Sequence, residues 1–151
     1  MILRCIECGK DYPPDKVRYR CDCGDLLEVV HDIESLRKKV SRRLFEERLS
    51  TREFPYNSGV WRYKELILDV DNSFIVSRPE GNTNLYSAPK VSEWVGVNRL
   101  WLKHEGENPT ASFKDRGMTT GITVANAMGF KKVACASTGN TSASMAAYAA
   151  M

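Results

Sequence analysis

The spacing of apolar residues changes character along the chain. Residues 1 to about 30 carry short β-like runs, Val17–Arg20 and Leu26–Val30. Over residues 33–50, Leu36, Val40, Leu44 and Leu49 fall near one stripe, with Arg37, Lys38, Arg42 and Arg43 mostly outside it, which predicts an amphipathic helix. Pro55, Asn57, Ser58 and Gly59 then break the periodicity. From about Ser73 the pattern turns α/β. Arg99–Lys103 reads as a strand, Lys114–Met128 as a helix stopped by Gly129, Lys132–Ala136 as a short buried strand, and Thr141–Met151 as a further helix. The order strand, helix, strand, helix predicts parallel pairing with crossover helices.

Size and charge narrow the reading. The 151 residues, 42% hydrophobic and 27% charged, suit one globular domain rather than a disordered chain. A formal net charge of +3 is too mild to demand nucleic acid or a membrane as partner. No apolar run reaches the roughly 18 residues that cross a bilayer, and MILRCIECGK has no signal-peptide pattern. Two recognisable strands make a poor parallel sheet, and the last helix reaches Met151 with no stop signal. The sheet domain is therefore expected to be incomplete.

Five cysteines, four of them within the first 23 residues, fit a reducing compartment such as the cytoplasm and a metal site better than a disulfide framework. Cys5-x2-Cys8 and Cys21-x-Cys23 offer four soft ligands in two close pairs, the set that tetrahedral zinc prefers. Gly9 and Gly24 each follow the second cysteine of a pair, where the chain must turn sharply. With four protein ligands the zinc would be structural. The same spacing also suits four reduced, buried thiols. Cys135, inside an apolar run, reads as a core residue.

Two segments carry candidate chemistry. In NPTASFKDRG (108–117), Ser112 and Asp115 form an S-x-x-D start for a helix. Lys114 then lies in the first turn, where the positive end of the helix dipole and partial burial both favour a free amine able to attack an aldehyde. Asp115 and Arg116 are placed to anchor the turn. A solvated K-D-R run at a surface helix start explains the pattern equally. ASTGNTSAS (136–144) follows a predicted strand and opens a helix, so N–H groups of Ser137–Thr141 can converge on an anion such as a carboxylate. An ordinary capped turn has a similar composition.

Taken together, EGNTNL (80–85), LKHEGENPTASFKDRGM (102–118) and ASTGNTSAS resemble segments of the fold-type II pyridoxal-phosphate enzymes, the tryptophan synthase β-like superfamily. Within it, the chain most resembles the threonine synthase family. GVWRY (59–63) looks like that family, and its archaeal and bacterial members often carry a zinc-ribbon-like segment resembling residues 5–23. The resemblance covers nearly the whole chain. It implies an α/β architecture: a zinc-ribbon-like segment over 1–30, a helical and loop linker over 31–72, and the start of a parallel-sheet catalytic domain over 73–151.

By that resemblance Lys114 holds pyridoxal 5'-phosphate as a Schiff base, and Asn140 bonds the cofactor's ring hydroxyl. Ser137, Thr138, Gly139, Asn140 and Thr141 would take the carboxylate of an amino-acid phosphate substrate, and Cys5, Cys8, Cys21 and Cys23 a structural zinc. The implied reaction converts O-phospho-L-homoserine and water to L-threonine and phosphate, in a possible homo-oligomer. Ala111 stands where glycine is more usual. The glycine-rich loop for the cofactor phosphate, and the hydroxyl residue at the pyridine nitrogen, are expected beyond Met151. Two alternatives stay open: a cysteate synthase-like enzyme acting on phosphoserine with sulfite, and a non-catalytic zinc-ribbon module binding nucleic acid or protein.

The other candidates carry less. His31 and His104 are isolated, Arg37–Arg43 fits a solvated helix face, and Trp61, Trp94 and Trp101 read as packing residues.

Overall fold

The computed structural model describes residues 1–151 as a mixed helix and strand structure with two small sheets. In the first, β1 (Ile2–Cys5) is flanked by β2 (Asp11–Tyr12) and β3 (Leu27–Val30), both antiparallel to it. Gly9 and Gly24 adopt φ of +71° and +95°, the left-handed conformation that the two cysteine turns require. Cys5, Tyr12 and Cys21 are buried together, with Leu3 and Leu27 packed against them. Val17–Arg20 is not a strand. Arg18 lays its guanidinium 4.1 Å from the centre of the Tyr12 ring and pairs with Asp22 at 2.7 Å. These local contacts hold the segment as a loop over the cysteine turns.

The expected helix over 33–50 is two helices, α1 (Ile33–Arg37) and α2 (Arg42–Leu49). The break falls where Ser41 takes up an extended conformation and its side chain accepts from the Leu44 N–H at 3.1 Å, starting a new helix. Arg48 at the end of α2 reaches the carbonyl of Arg62 at 2.9 Å and both carboxylate oxygens of Glu65 at 2.7 Å, fastening α2 to the turn at Trp61–Tyr63 and to α3 (Lys64–Ile67).

The second sheet pairs β4 (Leu85–Ser87) with β5 (Trp101–Lys103), antiparallel, around α4 (Pro89–Val95). Both sheets are thus antiparallel, and the parallel pairing expected from element order is not seen. Lys132–Ala136 forms no strand and is exposed, because no strand lies beside it to satisfy its backbone. Cys135 is accordingly exposed and is not a core residue. Trp61 is fully buried, as expected of a packing residue, whereas Trp94 and Trp101 are 84% and 56% exposed.

Two long helices complete the chain. Helix α5 (Lys114–Ala127) ends just before Gly129, whose φ is +74°, close to the end read from sequence. Helix α6 (Asn140–Ala149) packs against it. Beneath α5, the Trp61 indole donates to Thr119 Oγ1 at 2.7 Å, and Thr119 donates to the Val76 carbonyl at 2.7 Å. GVWRY and EGNTNL meet through backbone: the Gly59 N–H donates to the Glu80 carbonyl at 2.7 Å, and a Cβ on Gly59 would stand 2.1 Å from the Asn82 nitrogen. No helix is long and apolar enough to cross a membrane.

Candidate active site and metal centre

The four N-terminal thiols converge. All four Sγ atoms lie within 4.8 Å of one another, with Cys5–Cys23 at 3.6 Å and Cys8–Cys21 at 3.5 Å. A disulfide would need about 2.05 Å. Four thiolates about 2.3 Å from one metal ion stand about 3.8 Å apart at the corners of a tetrahedron, so spacing and donor chemistry both fit a metal ion. The backbone prepares this geometry: the Cys8 N–H points at Cys5 Sγ at 3.4 Å. Tyr12, which the sequence did not single out, accepts from the Asp22 N–H at 3.1 Å, and its hydroxyl shares a hydrogen bond with Cys21 Sγ, also at 3.1 Å. That bond, with a further one from the Cys23 backbone, lowers the Cys21 thiol and favours its thiolate, while hydrogen bonds to Cys21 and Cys5 push the Cys23 thiol up.

Lys114 is the first residue of α5. Ser112 Oγ accepts from its N–H at 3.3 Å, but Asp115 does not complete a capping box with Ser112. Instead its fully buried carboxylate accepts from the Thr110 N–H at 2.7 Å, the Thr110 hydroxyl at 2.5 Å and the Ser144 hydroxyl. Arg116 also turns away from the lysine, donating to both carboxylate oxygens of Glu105 at 2.7 and 2.8 Å. Asp115 and Arg116 therefore anchor the turn, as the sequence suggested. The Lys114 side chain, half-buried, runs past the Phe113 ring with Nζ 4.3 Å from its centre.

Across from it lies the segment before α6. Lys114, Ala136, Ser137, Thr138, Gly139, Asn140 and Thr141 line one open cleft of about 800 Å³, within the size range of small-ligand sites. Ser137 Oγ accepts from the N–H groups of Gly139 and Ser142, both at 3.1 Å, which folds the segment back on itself. Gly139 holds φ of +157°. The first N–H groups of α6 have no partner within the helix, so this end of the cleft offers donors to an anion. A primary amine facing a nest of donors is the arrangement needed to hold an aldehyde cofactor beside a carboxylate. The residues present fit such a cofactor.

Behind the cleft stands a second buried carboxylate that sequence reading passed over. Glu80 is fully buried and accepts from Ser77 Oγ at 3.0 Å, the Arg78 N–H at 3.0 Å, Tyr148 Oη at 2.8 Å and the Ser58 hydroxyl. Burial and this neighbouring charge push the Tyr148 phenol far upward, so it stays a donor. The signals in the sequence were faint: a serine three residues before Glu80, at Ser77, and a lone tyrosine, Tyr148, in a helix of mostly small residues.

Residues 76–151 match the family model described as pyridoxal-phosphate dependent enzyme. The chain belongs to that family. Along almost its whole length it is also similar to threonine synthases. It is 52% identical to that of Methanocaldococcus jannaschii over 99% of this chain and 35% of the relative. Against the Methanosarcina acetivorans enzyme the identity is 46%, over 98% of the chain and 34% of the relative. Against the chloroplastic threonine synthase 2 of Arabidopsis thaliana it is 40%, over 93% and 29%. The chain spans about a third of the length of the curated relatives it matches.

Proposed function

We propose that the protein is a threonine synthase, converting O-phospho-L-homoserine and water to L-threonine and phosphate. The observation that carries this reading is the cleft in which Lys114 faces Ser137–Thr141, in a chain similar along almost its whole length to threonine synthases. Pyridoxal phosphate, when bound, serves as an electron sink for carbanions formed at the substrate. Lys114 Nζ would hold the cofactor covalently, and as a free amine would take and return protons at the substrate carbons. The Asn140 side chain, in the same cleft, would hydrogen-bond the cofactor's ring hydroxyl. Ser137, Thr138, Gly139 and Thr141, with Asn140, orient the substrate carboxylate. Residues 73–151 belong to the catalytic domain, whose parallel sheet would take in Lys132–Ala136 as a strand, while 1–30 form a ribbon and 31–72 a linker.

The ribbon holds a structural zinc through Cys5, Cys8, Cys21 and Cys23. Four thiolates leave no open position for substrate, so the ion's role is to fold residues 1–30. Five free thiols suit the reducing cytoplasm. The substrate is a small amino-acid phosphate, and a homo-oligomer is a natural way to cover the exposed apolar residues of β4, α4 and β5.

Side-by-side assays of the full-length protein test the reading. Phosphate and threonine should form from phosphohomoserine, with little reaction of phosphoserine and sulfite. Sulfite-dependent turnover of phosphoserine, with none of phosphohomoserine, would move the protein to the cysteate synthase-like alternative.

A further inference from the structure

We propose that Asp115 is a positioning residue: through Ser144 it fixes helix α6 so that Ser137–Thr141 stands in register against Lys114. The proposal rests on reading that cleft as the active site.

Asp115 follows Lys114 directly, so its backbone moves with the lysine's. Its Oδ2 is taken by the Thr110 N–H, and its Oδ1 by the hydroxyls of Thr110 and Ser144. Asp115 and Ser144 are both fully buried. Ser144 lies four residues after Asn140, on the same face of α6 and one turn below the cleft. One turn further, Tyr148 on that face donates to Glu80 at 2.8 Å. Helix α6 is thus tied at two successive turns to two buried carboxylates, the nearer of them adjacent to the lysine.

The sequence of α6 explains why such ties are needed. NTSASMAAYA offers mostly small side chains, and its N-cap residue, Gly139, has no side chain to contribute. Small residues permit close packing on α5 but interlock weakly, so apolar contact alone defines rotation and axial position poorly. A helix that slips by one residue moves about 1.5 Å along its axis and turns about 100°. Errors of about 1 Å in a reacting geometry can cost a hundredfold in rate. The Ser144 bond removes that freedom where it matters, while the Tyr148 bond, a turn farther from the cleft, holds the helix body.

The roles separate in four variants of the full-length protein. S144A should speed amide hydrogen exchange at Gly139, Ser142 and Ala143 of the apoprotein, the N–H groups there that have acceptors, roughly tenfold while leaving α5 unchanged. In the loaded enzyme it should raise KM for phosphohomoserine by about the same factor, more than it lowers kcat. Y148F should lower the melting temperature with a smaller effect on KM. D115A should behave as S144A does, and D115N should largely restore both readouts. The amide oxygen can accept from Thr110 N–H while its NH2 donates to the two hydroxyls, which keeps the geometry and removes the charge.

Unchanged exchange at Gly139, Ser142 and Ala143 in S144A would overturn the proposal. So would D115N as defective as D115A, which would mean that the charge matters rather than the tie. If D115A does not fold, S144A and D115N decide between them. Because exchange is read on apoprotein, it stands apart from the functional reading: wild-type protein that forms no threonine refutes that reading without touching this result.

Discussion

The guanidinium of Arg116 grips both carboxylate oxygens of Glu105, at 2.7 and 2.8 Å, joining the first turn of α5 to the turn that follows β5. Thr83 and Asn108 add to the same carboxylate at 3.1 Å each. The grip of Arg116 is the main reason the Glu105 carboxyl is held down to about 2.

A folded-state pKa below the unfolded one gives stability that is present above the ordinary carboxyl range and lost as pH falls through the folded value. The pair should therefore stabilise the protein above about pH 4.5 and lose its effect as pH falls through about 2. Both side chains are about a third exposed, so solvent screening limits the contribution to about 1 kcal/mol. Melting temperatures of wild type and Arg116→Met between pH 6 and 2 check this. The deficit of the variant should be largest at pH 6 and shrink toward pH 2; a constant deficit contradicts the assignment.

The parts legible in sequence were those set by near neighbours. Cysteine spacing and the glycines after it pointed to the four converging thiols, and the run from Lys114 to Gly129 to α5 almost to its ends. The parts that were not legible depend on distant partners. Glu80 is a hub because Ser58, 22 residues earlier, and Tyr148, 68 residues later, join the nearby Ser77 and Arg78 N–H in donating to it. Lys132–Ala136 has the apolar pattern of a buried strand yet stays unpaired here, since strand formation needs a neighbour that local sequence does not supply. The apolar stripe over 33–50 continued through a break that Ser41 imposes by capping a new helix.

Ala111 has φ of +59°, in the left-handed region, three residues before Lys114. An alanine there is strained by about 1 kcal/mol, partly offset by the extra freedom glycine has when unfolded. Ala111 is exposed, so little packing would be lost. Ala111→Gly should leave stability unchanged or raise it by up to about 1 kcal/mol, measured by urea denaturation. A clear fall would contradict the strained-turn account.

One zinc per chain is expected from elemental analysis of protein prepared without chelator. If the zinc is structural, as proposed, Cys8→Ser should weaken metal retention and raise protease sensitivity within residues 1–30, while cofactor binding persists, because none of the four cysteines lines the cleft. Absence of metal, with all four thiols titrating freely in folded protein, would reduce the cluster to four reduced cysteines.

Tyr12 should matter to that metal through its bond to Cys21 Sγ at 3.1 Å. Outer partners of metal ligands typically contribute tenfold or more to affinity. In competition with a chromogenic chelator, Tyr12→Phe should lose metal roughly tenfold more readily. Equal retention by the two proteins would show that the hydroxyl serves only the Asp22 turn.

The proposed function requires first that Lys114 carry the cofactor. Borohydride reduction of the full-length protein loaded with pyridoxal phosphate, followed by peptide mapping, tests it most directly. The pyridoxyl group should be found on Lys114 in the peptide containing NPTASFKDRG, and Lys114→Ala should take up no label. A stable label on another lysine, with Lys114 unmodified, would contradict the account.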